Sequence, residues 1–592
     1  MRLRDIIIWF VCGIAAISLF VIAGRQLHSI NSRREQMRLI SNKPLENAPP
    51  SLAFATVAMG AFRGLVVDVL WLRAEKLKDE GQFFDAKQLA EWITVLQPRF
   101  ASVWEFQAWN MAYNISVSMP ETQPEERWRW VRNGYELLRD KGIPLNPKSI
   151  LLYRELARIF QHKLGSVSDN VHKYYKLQLA SAMEPLLGPA DNEYFKALAE
   201  APAELQQIAR DANVAPLIAA LKSADRTFAN DEHFVSNYLA LRQTPARFSP
   251  DVFKVIDNFR GTKALEKFDI FAKAYQLRNV WKLDPVLMQE LNNTYGPVEL
   301  GDPNKHLPLD WRHPESHAIY WAVKGLKTAG KEEFSAEEAR TDRIVGFGLQ
   351  NLFYGGKIFI WSKPAESPQD SYTQESFNLS REIFLRPDLR MFEPCNRARL
   401  KVIQKYEQLD KKGGTYETMQ NGHRNMLKNA VLLFYQAGHI PQAQRVYNQL
   451  RELYPRDEFK VSLPEFARNC LVEDIDRFTI NEASQAIQML LQESYFRYAM
   501  RDDDEAFGRE KLAKEAYDYY NAKHSDGTFR VNLPDFSLMR YFGLMDFLND
   551  SEYPPELRRS LIGRIRIERP DLAELLKEQE EKILKQQAEQ SR

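Results

Sequence analysis

The sequence predicts an all-α protein: an N-terminal transmembrane helix, then helical hairpins stacked as a solenoid and interrupted by an irregular helical middle region. Three observations carry this. An uncharged run, Ile6 to Gly24, stands at the start. One spacing of glycine, alanine and proline recurs in two distant, otherwise helical stretches. The 592 residues are 44% hydrophobic and 12% aromatic, enough for packed interiors but too long for one core, so several units or an extended array are expected.

Met-Arg-Leu-Arg-Asp precedes the uncharged run. At about 1.5 Å per residue the run nearly matches a hydrocarbon core about 30 Å thick. Val21-Ile22-Ala23 would also suit a signal-peptide cleavage site, but the run exceeds the usual apolar core of about 7–15 residues. An uncleaved single-pass anchor in the inner (cytoplasmic) membrane is expected. Arg25, Arg33, Arg34, Arg38 and Lys43 outnumber Arg2 and Arg4, which by charge count keeps the large domain inside. Short N-terminal anchors commonly export the chain beyond them, and the expected side is extracytoplasmic, the periplasm in a Gram-negative bacterium.

Residues 25–50 are polar, arginine-rich and end in NAPPS, which reads as a stalk. SLAFATVAMGAFRGLVVDVLWLRAEKLKDE then reads as helix up to Gly81. Gly60 and Gly64 could form a membrane packing face, but Arg63 and Asp68 are costly in lipid. A buried helix with these two charges paired is expected.

The hairpin signature begins within this helix. Leu70, Ala74, Gly81, Ala86 and Pro98 supply a large residue, a small one, a turn glycine, a small residue for close helix approach, and a stop. Trp104 and Ala108 repeat the first two places one period on, and Gly438, Ala443, Tyr447 and Pro455 repeat the later offsets near the C-terminus. This resembles the tetratricopeptide repeat family, whose helix–turn–helix units are about 34 residues long. The resemblance covers roughly an eighth of the chain. FRGLVVDVLWLRAEKL before a repeat also looks like bacterial membrane-anchored repeat proteins, which implies association with envelope machinery. Six regions are expected: anchor 1–24, stalk 25–50, N-terminal solenoid 51–225, irregular middle 226–400, C-terminal solenoid 401–569 and a charged helical tail 570–592.

In such arrays helix A lines a concave groove. The resemblance puts Glu75, Lys78, Glu105, Trp109, Tyr113, Lys428, Tyr435 and Gln436 there, as aromatic and charged anchors for a partner segment. The competing reading is packing against the following helices, above all for Trp109.

Other chemistry finds little footing. Lys plus Arg (80) balances Asp plus Glu (79), which gives no global electrostatic footprint for nucleic acid. The three cysteines, Cys12, Cys395 and Cys470, exclude a disulfide framework and a CxxC zinc site. His313 and His317 in LDWRHPESHAIYW lack the HExxH order, so Asp310 is expected to cap a helix, Trp311 to pack and the histidines to bond locally. Tyr-Gly-Gly-Lys at 354–357 lacks the flanking residues of a phosphate loop, and the glycine pair could instead turn a β-hairpin between two aromatic runs. RRSLIGRIRIERP at 558–570 reads as a last solenoid helix, with a basic membrane-surface helix as the alternative.

No catalytic residue, metal ligand or cofactor is assigned, and the chain is not expected to be an enzyme. The expected role is a membrane-tethered scaffold that binds proteins or peptide segments of an envelope complex and does not bind nucleic acid. Alternatives are a self-assembling structural subunit and, further off, an anchored hydrolase with its site in the middle region.

Overall fold

The computed structural model describes residues 63–300, 302–328, 336–362, 381–409, 414–475, 480–523, 533–550 and 553–590. Contacts divide the chain into two compact units, Met1–Pro98 and Arg99–Arg592. The described residues are mostly helical, as the all-α class requires, with two small antiparallel sheets in the second unit. Among the described residues no helix is long and apolar enough to cross a membrane. The expected anchor, Ile6 to Gly24, lies outside the described residues.

The first unit contains a helical hairpin, Arg63–Asp79 followed by Phe83–Leu96. Gly81 closes the turn at φ +77. The Gly81 N–H donates to Lys78 O (3.0 Å) and the Gln82 N–H reaches back to Leu77 O (2.8 Å). This is a Schellman cap, whose left-handed residue favours glycine. Ala74 and Ala86 are fully buried, and small side chains there let the helices approach. The Arg63–Asp79 helix is not a buried one, contrary to expectation. Leu65, Val69 and Leu72 are 62, 65 and 68% exposed, because the helix buries only the narrow face of Val67 and Ala74.

In the second unit the helices Thr415–Gln436 and Ile440–Leu453 form a hairpin closed in the same way. Gly438 has φ +80, its N–H donates to Tyr435 O (3.0 Å), and His439 N–H donates to Phe434 O (2.9 Å). Ala443 and Tyr447 are fully buried.

A third hairpin joins Ile480–Ala499 to Asp503–Lys523. Its cap repeats the bonds, Arg501 N–H to Tyr498 O (3.2 Å) and Asp502 N–H to Arg497 O (2.9 Å), with Arg501 at φ +60 in the glycine place. Ala506, five residues on, occupies the position of Ala86 and Ala443 and is buried. The turn therefore falls at 500–502, and Asp503 starts the second helix.

The largest core runs from Trp104 to Phe466. Residues 205–272 build a separate cluster, and a third combines Phe384 with side chains from Ala483 to Leu572. Among the described residues four helices pass into π-helical stretches, at Asn110–Ile115, Leu138–Gly142, Ile159–Gly165 and Leu277–Trp281.

The expected hairpin about Gly355–Gly356 forms only in half. The first run is helix, Ala336–Gly355, with Val345, Leu349, Leu352 and Phe353 buried at helical spacing. The second is a strand, β3 (Lys357–Ser362), whose partner β4 (Arg381–Arg386) comes from further along the chain. Their register pairs Lys357 with Arg386 and Ser362 with Arg381. Side chains alternate across this ribbon. Phe359, Trp361 and Phe384 pack on the C-terminal cluster, while Ile358, Ile360 and Ile383 pack on Leu177 and Ala180. The other sheet pairs β1 (Val298–Glu299) with β2 (Asp302–His306).

The basic segment near the C-terminus folds as the helix Pro555–Glu568 and buries Leu557, Leu561 and Ile565. Arg564 binds both Asp503 carboxylate oxygens (2.9 and 2.8 Å). These contacts fit a packed helix, and a further helix, Pro570–Gln590, follows it.

Candidate functional site

The helix Ala101–Trp109 continues without a break through Ile115 and presents Glu105, Trp109 and Tyr113 at intervals of four. All three are half-buried. The Trp109 and Tyr113 rings stack at 5.9 Å and 23°. Cations stand behind them: the Arg158 guanidinium lies 5.0 Å from the Tyr113 ring centre and the Lys163 ammonium 5.6 Å.

These cations are held by a layer with no direct part in the face. The buried Glu155 carboxylate takes the Arg158 fork at 2.8 and 2.7 Å. Asp169, also buried, binds Lys163 (2.5 Å) and Arg127 (3.0 Å) and accepts from Tyr175 (3.1 Å). Burial pulls the Lys163 ammonium below its usual range against the opposing pull of Asp169. Burial, and then the Glu155 carboxylate, push the Glu105 carboxyl up; its oxygen accepts from Arg154 (3.1 Å). The face thus exposes an aromatic ledge, a carboxylate and the part-exposed Arg158 guanidinium, with Lys163 buried beneath them. Arg154 and Arg158 are cations one helical turn apart; Asp169, in the loop six residues after Lys163, carried no sequence signal.

The other groove residues lie elsewhere. Glu75 and Lys78 are half-buried in the first unit, with Lys78 3.6 Å from Asp79. Lys428 pairs with Glu458 (3.2 Å) and sits 5.8 Å from the Phe459 ring. Tyr435 donates to Glu515 (3.3 Å), and Gln436 beside it is half-buried. Lys428 and Tyr435 thus meet elements later in the chain, and their nearest partners are separate from those of the Trp109 face.

The histidine pair belongs to a sealed polar centre at the start of the helix Pro314–Thr328. Asp310 does not cap this helix. Its carboxylate takes the Arg312 N–H (3.0 Å) and guanidinium (2.9 and 2.7 Å), and His313 caps instead, its Nδ1 accepting from the Glu315 N–H at 3.1 Å. An accepting Nδ1 leaves the proton on Nε2, which donates to Gly355 O (3.2 Å). His317 donates from Nε2 to Trp311 O (2.9 Å) and stacks on Phe160 at 5.0 Å. Burial pulls both imidazoles down to about 4.

Glu315 is fully buried and accepts from Gln161 (3.0 Å) and Asn351 (2.7 Å). Burial pushes its carboxyl up to about 8. Glycines make the room it needs: a Cβ on Gly165 would stand 2.8 Å from its Oε1, and one on Gly348 3.3 Å from its Oε2. Three π-helical stretches meet here, through Phe160, Trp281 (5.8 Å from His317) and Arg139 (5.9 Å from the Trp281 ring). Imidazoles with fixed tautomers around a carboxyl that burial pushes up to about 8 suit a structural hydrogen-bond centre. Among the described residues no group of three or more His, Cys, Asp or Glu side chains is arranged to hold a metal ion.

The chain matches no protein-family model and no curated protein.

Proposed function

We propose that the chain is a membrane-tethered scaffold of tetratricopeptide-like helical hairpins that holds protein segments of a bacterial envelope complex. Residues 6–24 are its single-pass anchor in the inner membrane, and its large domain faces the extracytoplasmic side. The observation that carries this reading is one hairpin design used three times, with the same cap at Gly81, Gly438 and Arg501 and a buried alanine five residues after each. Stacked hairpins bury their cores against neighbours and leave helix faces free for partners. The stacked Trp109–Tyr113 ledge is such a face.

Extraction of native-level protein from membranes in mild detergent tests this. The chain should resist removal by alkaline carbonate, lose that resistance when residues 1–24 are deleted, and leave the membrane at a fixed ratio to at least one other envelope protein. Recovery as a lone chain or a homo-oligomer would overturn the scaffold reading in favour of a self-assembling subunit.

A further inference from the structure

The helix Phe392–Leu409 carries Arg397, Lys401 and Lys405 at intervals of four, and all three line one cleft of about 480 Å³. That volume lies within the range of ligand clefts. Four residues of helix advance about 6 Å, so the cations form a row along one wall. The rest of the lining mixes apolar surface, from Tyr295, Leu326, Val345 and the backbone of Gly346, with Asn293, Thr294 and Asp342. A Cβ placed on Gly346 would find no neighbour nearer than 3.7 Å.

The row is unevenly neutralised. Lys405 binds Glu338 and Asp342, each at 2.6 Å, and Asp342 also accepts from Tyr406 (2.8 Å). Asp342 is the carboxylate of the cleft lining, and it is thereby engaged. Arg397 is exposed and donates to His306 Nε2 at 3.3 Å, a contact that leaves its charge uncompensated. Lys401 is exposed, with no ion pair among the described residues. Two unneutralised cations, about 6 Å apart along their helix, therefore share the cleft with the apolar side chains of Leu326 and Val345.

We infer that this cleft takes an acidic segment of a partner protein, with two carboxylates on alternate residues and an apolar side chain between them. In an extended chain alternate residues project to the same side about 6.5 Å apart, and the residue between projects to the other. Glu-X-Glu thus meets Arg397 and Lys401 while X meets Leu326 and Val345. The inference rests on the scaffold reading and gives that partner a chemistry. Two cations on a narrow cleft suit a short acidic peptide better than a nucleic-acid backbone, whose binding uses longer basic tracts.

The test uses full-length protein in detergent and a fluorescein-labelled Gly-Ser-Glu-Leu-Glu-Ser-Gly peptide, read by fluorescence anisotropy. The Glu-Leu-Glu peptide should bind, the Gln-Leu-Gln version should bind at least about tenfold more weakly, and added salt should weaken the first alone. Arg397→Glu with Lys401→Glu should weaken Glu-Leu-Glu binding at least about tenfold, whereas Arg397→Lys should largely retain it. Both side chains are exposed, so the charge reversal leaves the fold in place. Equal binding of the Glu and Gln peptides, indifference to the reversal, or displacement of the peptide by an oligothymidylate of equal affinity would each overturn the inference. A chain that co-extracts a partner yet fails this assay loses only the cleft assignment; one that binds the peptide yet extracts alone loses the scaffold reading.

Discussion

Arg497→Met should destabilise the C-terminal part of the second unit by about 3–5 kcal/mol, the range for removing one partner from a buried ionic network. Arg497 is fully buried. Its guanidinium binds Glu493 (2.9 Å) and Asp502 (2.7 Å), and it also meets Glu505. The network extends into the ribbon, where Lys357 binds Asp502 (2.6 Å) and Arg386 binds Glu493 (2.9 Å). Arg497 also supplies the carbonyl that accepts the Asp502 N–H in the third hairpin's cap. Its loss strands carboxylates that burial already disfavours: the Glu505 carboxyl is pushed up by burial despite its arginine neighbours. Arg497→Lys should recover only part of the loss, since an ammonium cannot reproduce the planar fork. Urea unfolding combined with amide hydrogen exchange over residues 480–523 measures both changes. Unchanged protection there in Arg497→Met would contradict the network's role.

The second large effect is a pH dependence centred on Glu315. Its carboxyl is pushed from an ordinary 4.5 up to about 8 by burial, so unfolding releases a proton throughout that interval. This contribution costs stability as pH rises from 4.5 to about 8, by about 1.4 kcal/mol per pH unit. His172, His313, His317 and His423 run the other way, pulled by burial from 6.5 down to about 4. Their contribution is present above 6.5 and is lost as pH falls towards 4. With His162 and His439, also pulled down by burial, six histidines outnumber the four carboxyls pushed up, Glu105, Glu315, Glu382 and Glu505, so stability should peak near pH 6.5 and decline towards pH 8. Glu315→Gln removes the alkaline decline, because an amide carries no proton to lose. Denaturation midpoints at pH 5, 6.5 and 8 for both proteins decide this. A wild-type midpoint that does not fall between pH 6.5 and 8, or an equal fall in Glu315→Gln, would contradict the assignment.

The legibility of this fold in its sequence depends on the kind of constraint at each residue. Gly81 and Gly438 announce their hairpins because a left-handed cap is a local demand that glycine meets most readily. The third cap was hidden because Arg501 fills the glycine place, and only its pair of cap bonds and the buried Ala506 identify it. The aromatic run before Gly355 misleads as a strand because β-prone residues fall at helical spacing and tertiary burial obeys the spacing. Local bonding of His313 and His317 was readable from the missing ligand order. The burial that raises the Glu315 carboxyl was not, since Gln161, Asn351, Gly165 and Gly348 come from other segments. Among the groove residues, four-residue spacing brings Trp109 and Tyr113 together, whereas the cations behind them, Arg158 and Lys163, come from a separate helical segment.

The central claim, that helix faces of this chain hold a partner, is met most directly by site-specific photocrosslinking in intact membranes. A photoreactive residue placed at Trp109 or at Lys428 should give discrete adducts with an envelope protein. The same residue at Arg260, whose side chain is 76% exposed on the helical cluster of residues 205–272, should give none. Adducts from all three positions alike, or from none but a second copy of this chain, would contradict the account.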